Sequence, residues 1–389
     1  MGAVYDNHLT PNGLSALFLW LWLISEIRRA MKRISPIYAI KISRRAIRSW
    51  QKNLERKRTK RCPIKWIEKR VILSENFNFS ANYIETVQSL QEFKRATLSK
   101  PKSRVRHKVY IDLASVKDIS IAGALVLAAE IDRWRRLKRA SLKPRDTENW
   151  DPIVKRTLTS LGFFDLLGVR IERSANDDFN GKEVVVLPMV TDARLDGEML
   201  YRIGEHLEVV AGVFRQDPTI YAALTEAAYN STLHAYPTDH NYEFQPLWKR
   251  WWATACWSPQ ESAVRFMIYD QGVGIPATLP RSQKWERIRE YISKVPLIGG
   301  FSNDASAMIE AAIEVSRTSR DGGHGKGLKD VVAPVTGLEG GRVRILSGRG
   351  CYLCYGDGTI EKSDSDLHIG GTLIEWTIPT GHAEVGVES

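Results

Sequence analysis

One predicted helix carries the residues with the clearest potential for chemistry. In the run EAAYNSTLHAY, Glu226, Asn230 and His234 recur every four residues, so a helix would place all three along one face. A carboxylate and an amide one turn apart suit a water-activating base beside a Mg²⁺ ligand. Many helices carry Glu and Asn for no chemical reason, and this motif alone does not decide between the two interpretations.

A second motif, YDQGVGIP, directly follows a predicted strand. Asp270 at the end of that strand could accept the amino hydrogens of adenine. Gly272 and Gly274 would let the backbone pass close to a flat base. A plain glycine-containing turn is the alternative interpretation of this motif.

A third motif, RDGGHGKGL, precedes a predicted helix. The backbone N–H groups of Gly323, Gly325 and Gly327 could face an anion at the helix start, and Lys326 could add a positive charge for phosphate. The spacing is not that of a Walker A motif, because Arg320 stands where its first glycine would be and Gly327 replaces its Ser/Thr. A flexible loop is the alternative.

A fourth motif, Gly370-Gly371-Thr372, opens a predicted strand. In this order and at these intervals, the four motifs resemble the GHKL ATPase superfamily of histidine kinases, gyrase-type topoisomerases, Hsp90 and MutL. The resemblance covers residues 183–381. It implies a Bergerat α+β sandwich that binds ATP and Mg²⁺.

The resemblance also implies a role for each matching residue. It makes Glu226 the catalytic base and Asn230 the Mg²⁺ ligand, while Asp270 would bind adenine with Thr372 close to it. The other implied site residues shape the base pocket or lie at the phosphates: Gly272 and Gly274 for the former; Gly323, Gly325, Lys326 and Gly327 for the latter.

Within the superfamily, EAAYNSTLHAYP looks most like the anti-sigma-factor serine kinases. Upstream, residues 109–169 resemble a STAS domain, the fold of the antagonists that those kinases phosphorylate. In the loop that is phosphorylated in such antagonists, Ile121 occupies the acceptor position. We therefore expect a fixed interaction module, although Ser120 could serve one position early.

The predicted fold class is thus a multi-domain α/β protein, with a STAS-like α/β module followed by a GHKL ATP-binding domain. A polar stretch at residues 174–182 marks the predicted boundary. Residues 276–324 read as a long irregular segment, which is typical of a lid. The predicted parts are an apolar N-terminal segment (1–27), a basic arm (28–75), the STAS-like module (76–174), the ATP-binding domain (183–381) and a tail (382–389).

Charge is concentrated in one segment of the 389-residue chain. The net charge is +11, and residues 28–70 carry seventeen Lys and Arg against two acidic residues. This segment could bind the phosphates of nucleic acid or an anionic membrane, or it could be a solvated arm. Residues 14–24 are uncharged, a pattern that favours a packed or amphipathic helix. The alternative is a membrane anchor. Four cysteines fit a reducing cytoplasm.

Two further patterns favour core packing over function. Cys351 and Cys354 have the spacing of a metal site, but they lie in a predicted strand without a second pair, which is typical of buried thiols. In a predicted hairpin, alternation places Trp251 and Trp257 on one face and Trp252 on the other. The alternative for the tryptophans is an exposed docking surface.

The functional expectation is a cytoplasmic regulatory ATPase or serine/threonine kinase that switches an unidentified regulatory protein through ordering of its lid. The alternative is a nucleotide-sensing scaffold with negligible turnover, bound through its basic arm to nucleic acid or membrane. A homodimer is compatible with both. Fusion of a STAS-like and a kinase-like part also suggests control within one chain.

Overall fold

The computed structural model describes residues 25, 36–58, 65–98, 105–138, 144–169, 184–211, 217–294, 304–318 and 327–380. The chain forms two compact units, Met1–Ile64 and Lys65–Ser389. Among the described residues, no helix has the length and apolar character needed to cross a membrane. The predicted apolar segment at 14–24 lies outside the described residues.

The first unit contains helix α1, Pro36–Arg58, which lies within the predicted basic arm. Several apolar side chains on it are exposed, including Trp50 and Ile40. The helix is therefore a cationic surface interleaved with exposed apolar groups, and its binding partner stays a prediction.

The second unit alternates short helices and strands. Its strands are β1 Lys65–Ile72, β2 Asn76–Phe77, β3 Val105–Asp112, β4 Asp118–Ile119, β5 Val185–Val186, β6 Val190–Asp192, β7 Trp251–Ser258, β8 Ala263–Asp270, β9 Arg342–Ser347, β10 Gly350–Tyr355, β11 Ile360–Asp364 and β12 Thr372–Pro379. Its helices are α2 Tyr83–Leu98, α3 Ile121–Lys138, α4 Pro152–Ser160, α5 Phe163–Leu167, α6 Gly197–Ala211, α7 Pro218–Leu233, α8 Ile275–Thr278, α9 Trp285–Lys294, α10 Ala305–Thr318 and α11 Leu328–Val332.

Most of these strands join one antiparallel sheet in the order β11-β10-β9-β12-β8-β7-β5, with β6 also paired to β7. Two small parallel pairs, β1–β3 and β2–β4, lie upstream. The mixed α/β class and the β7–β8 hairpin are confirmed. The segments RVRILS, CYLCYG and GTLIEWTIP are typical of a β-meander in the sequence, but in the structure β12 lies between β8 and β9, and β11 adds a strand.

Both faces of the sheet are largely buried at its central strands β7, β8 and β12, whereas the edge strand β11 is exposed, and alternate residues divide between the two faces. The inner face, with Trp251, packs against α6, α7 and α11. The outer face, with Trp252 and Tyr269, packs against α2 and α3. Trp251 and Trp252 are both fully buried, as the core interpretation predicts, whereas Trp248 is 43% exposed.

The upstream and downstream halves of the second unit therefore share one hydrophobic core. Side chains of α2, α3 and β1 cluster with outer-face residues of the sheet such as Met267 and Leu373. The strand β1 belongs to the predicted basic arm (28–75) because of its charge. In the structure it pairs along its length with β3. The polar stretch at 174–182 lies outside the described residues.

The segment predicted as an irregular lid is largely helical where it is described. It contains α8, α9 and α10, and the sequence pattern predicts a helix only at residues 305–316, within α10. Ile288 and Ile292 of α9, one turn apart, pack against Ala311 and Val315 of α10 in a small core of their own. This spacing inside WERIREYISK is the signal that identifies α9, and the prediction of an irregular segment is wrong there.

Candidate functional site

Glu226 and Asn230 lie one turn apart on α7, as their spacing predicts. The helix starts at an N-cap, Asp217, whose carboxylate accepts the N–H of Thr219, and it has proline at its first position. Asn230 Nδ2 donates to Glu226 Oε1 over 2.9 Å. His234 is the C-cap residue, so the helix ends where the third member of the motif stands.

Glu226 is a buried carboxylate at the junction of two helices. Burial raises its pKa, the hydrogen bond from Asn230 lowers it, and the nearby Asp330 raises it again. The backbone N–H of Gly327, just before α11, also donates to Glu226. The structure thus brings the last glycine of the third motif against the first motif. Gly323, Gly325 and Lys326 lie outside the described residues.

Asp270 ends β8 with a carboxylate that three donors surround. Gly272 N–H donates to Oδ1 over 2.8 Å. Ser231 Oγ lies 3.2 Å from Oδ2 and 2.9 Å from the carbonyl oxygen of Ala227, so these two acceptors share the single hydroxyl hydrogen. The backbone N–H of Thr372 also donates to the carboxylate. Burial outweighs these hydrogen bonds and raises the pKa of Asp270 to about 6.

The two glycines after Asp270 are required by contacts within the protein. A Cβ at Gly272 would lie 2.3 Å from the carbonyl oxygen of Ala235, just past α7. Gly274 has φ +84°, and its Cβ would lie 2.9 Å from the backbone nitrogen of Gly348. Sequence reasoning predicted close approach to a flat base. In the structure, protein backbone fills the space that each Cβ would take.

Thr372 lies directly beside Asp270 in the sheet, since the two residues are register partners on the adjacent strands β12 and β8. Its Oγ1 lies 2.8 Å from Ser347 Oγ, which accepts the N–H of Ile275 over 2.7 Å. The fourth motif and the second are therefore adjacent. A hydroxyl pair joins them to the start of α8.

Ser231 connects the predicted base and metal residues to Asp270. It directly follows Asn230 on α7 and hydrogen-bonds the Asp270 carboxylate. Sequence reasoning missed Ser231, Ser347 and Asp330. Ser231 stands inside the first motif, whereas nothing local marks Ser347, which strand pairing alone brings to Thr372.

The amide of Asn230 is the candidate Mg²⁺ ligand of the site. Asn230 uses its amide nitrogen on Glu226, so its oxygen is the atom that could meet a cation such as Mg²⁺. The part of the chain that is described contains no group of three or more His, Cys, Asp or Glu side chains placed to hold a metal ion.

Two other features lie apart from this site. Cys351 packs against the outer-face core and Cys354 against the inner-face core, so the strand directs the two thiols to opposite sides and they cannot chelate one ion together. A cavity of about 830 Å³ lies on the outer face, between Tyr83 of α2 and Arg344 of β9. None of the predicted site residues lines it.

Comparison of the chain with protein-family models and with curated proteins finds no match.

Proposed function

We propose that this protein binds ATP with Mg²⁺ in the manner of a GHKL ATPase and passes the γ-phosphoryl group to water or to a protein hydroxyl. The observation that supports this most is the hydrogen bond from Ser231 to Asp270. It joins a helix with a carboxylate–amide pair to a buried carboxylate at a strand end. This contact therefore connects the candidate base and metal residues, Glu226 and Asn230, to the candidate adenine contact, Asp270.

Asp270 would recognise the base. Three donors orient its carboxylate, and an ionised carboxylate is a pure acceptor, so it suits the amino group of adenine. Glycosyl and phosphate groups would then extend along α7 toward Asn230. There the amide oxygen would hold Mg²⁺, which supplies charge neutralisation on the phosphates when bound.

Glu226 would act as the general base. Burial makes its carboxylate more basic than that of an exposed glutamate, and hydrogen bonds from Asn230 and Gly327 fix its orientation. A base held in this way can take the proton of an attacking water or serine hydroxyl. The unidentified protein partner would supply that hydroxyl if the activity is that of a kinase.

The test is incubation of the full chain with γ-labelled ATP and Mg²⁺, followed by separation of free phosphate, nucleotide and labelled protein. Asn230→Ala is expected to lower phosphoryl release or transfer at least about a hundredfold, as loss of one electrostatic contact to a transition state does. Thr232→Ala, on the same helix but outside the site, is the control. Equal turnover in all three proteins would refute the assignment of Asn230.

Turnover also separates the enzyme from a nucleotide-sensing scaffold. The scaffold gains support from α1, which combines basic residues with exposed Trp50 and Ile40 and could bind nucleic acid or an anionic membrane. ATP that is retained but unchanged by the wild-type protein, alone or with its partner, would favour that function. Glu226→Gln would then leave the biological activity intact.

Affinity for adenine nucleotides is expected to fall in acid. Asp270 is a pure acceptor for the adenine amino group only when ionised, since protonation turns one of its oxygens into a donor. Its pKa of about 6 lies above the ordinary value of 3.8. Protonation below pH 6 therefore competes with binding, so the dissociation constant for ADP should be about tenfold higher at pH 5 than at pH 8. Calorimetric titration across this range measures the effect. A flat profile would contradict the role of Asp270.

A further inference from the structure

Both neighbours of Asp270 are anchored in α3, a helix of the upstream half. The hydroxyl of Tyr269 lies 3.1 Å from Glu130 Oε1 and 3.1 Å from the carbonyl oxygen of Gly370. Gln271 Nε2 donates to the carbonyl oxygen of Ala129 over 2.9 Å. Adjacent residues of α3 thus hold the chain on each side of Asp270.

Glu130 is a fully buried acid between two cations. Its carboxylate lies 3.3 Å from Lys94 Nζ of α2 and forms a second ion pair with Arg133. Burial alone would raise the pKa of Glu130, but Arg133 and Lys94 outweigh it and the net shift is downward. The carboxylate therefore stays ionised, while burial keeps Tyr269 protonated as a donor toward it.

Lys94 carries the same network into the turn before β12. Its Nζ donates to the carbonyl oxygen of Ile369 over 3.2 Å, and a Cβ at Gly370 would lie 2.7 Å from that nitrogen. On the other side of the turn, a Cβ at Gly371 would lie 1.8 Å from the carbonyl oxygen of Asp270. The turn that delivers the Thr372 N–H to Asp270 is therefore held between Lys94 and Asp270.

We propose that the upstream half positions the carboxylate that binds adenine, with Glu130 as the positioning residue. This rests on the proposed function of Asp270. Glu130 orients Tyr269 and Lys94, and through them the strand end and the turn that surround Asp270. Because linkage is reciprocal, a partner that displaces α3 weakens nucleotide binding, and nucleotide binding resists displacement of α3 to the same degree.

The test uses calorimetric titration of the full-length protein with ADP. Glu130→Gln keeps the size of the side chain but removes the charge that holds Lys94 and Tyr269, and it is expected to weaken ADP binding about tenfold. Tyr269→Phe, which keeps the ring and removes only the hydroxyl, is expected to act in the same direction. The rate of turnover at saturating ATP should change less than the Michaelis constant, because Glu226 and Asn230 are untouched.

Asp132→Asn is the matched control. Asp132 is also a fully buried acid of α3, but it accepts the indole N–H of Trp252 over 3.3 Å and pairs with Arg136. It contacts neither neighbour of Asp270 in any described hydrogen bond. The control is expected to lower the melting temperature while leaving the dissociation constant for ADP unchanged.

Three results bear against the proposal in different ways. If Glu130→Gln and Asp132→Asn weaken ADP binding equally, the network contributes only to the stability of the fold, and the positioning role of Glu130 is refuted. Unchanged ADP affinity in both Glu130→Gln and Tyr269→Phe would also overturn it while leaving the proposed function in place. Failure of the wild-type protein to bind ADP would overturn the proposed function and the positioning role with it.

Discussion

Replacement of Asp270 by asparagine is expected to weaken binding of adenine nucleotides at least about a hundredfold. The carboxylate of Asp270 accepts hydrogen bonds from three donors, the N–H of Gly272, the hydroxyl of Ser231 and the N–H of Thr372. An asparagine has one acceptor oxygen and presents its own N–H groups to the remaining donors. It would also turn a donor toward the amino group of adenine. Lost charge and opposed donors together cost about 3 kcal/mol of binding free energy.

Calorimetric titration with ADP measures this loss, with the melting temperature of the free protein as a check on folding. Asp239→Asn is the control, because Asp239 is an exposed carboxylate that pairs with Arg281 on the surface. The control should bind ADP as the wild-type protein does. Retained affinity in a folded Asp270→Asn protein would remove the adenine contact from the proposed function, whatever the fate of Asn230.

Local spacing predicts the part of the site that one element carries. Glu226 and Asn230 share a helix, so a period of four residues is enough to place them together. Asp270 stands at the end of a strand that the sequence predicts as one arm of a hairpin. What the sequence does not show is the pairing of β8 with β12, because register between strands a hundred residues apart is set by the whole sheet rather than by either strand.

The same limit applies to the surroundings of the site. Alternation predicts that Trp252 lies on the opposite face from Trp251 and Trp257, but nothing in β7 says what covers the face of Trp252 or that Tyr269 pairs with it there. The answer comes from α3, more than a hundred residues upstream, which supplies both apolar contacts and the buried Glu130. The helix α9 was missed for a different reason, since its two buried isoleucines stand among many charged residues.

A shared core changes how control within the chain can be tested. A fragment of residues 183–389 would expose the outer face of the sheet, including Trp252, Tyr269 and Leu373, which α2 and α3 cover in the full chain. A large exposed apolar face favours aggregation. Loss of activity in such a fragment could therefore result either from unfolding or from lost regulation. Substitutions in the full chain distinguish the two causes.

Trp252→Ala is expected to lower the free energy of unfolding by about 3–5 kcal/mol. The side chain is fully buried between the sheet and α3, and its indole N–H donates to Asp132. Truncation leaves a cavity and removes one hydrogen bond from a buried carboxylate. Trp248→Ala is the matched control, since Trp248 is 43% exposed and touches only the rings of Tyr236 and Tyr242 in its described aromatic contacts. It should cost about 1 kcal/mol.

Urea unfolding gives the two free energies, and hydrogen exchange shows where the loss falls. If the halves of the second unit share one core, Trp252→Ala must speed amide exchange in α3 and in β8 together, because each packs on the indole from one side. Two independent domains would behave differently. Exchange would then rise in the sheet alone while α3 kept its wild-type protection, and the coupling proposed through Glu130 would have no structural route.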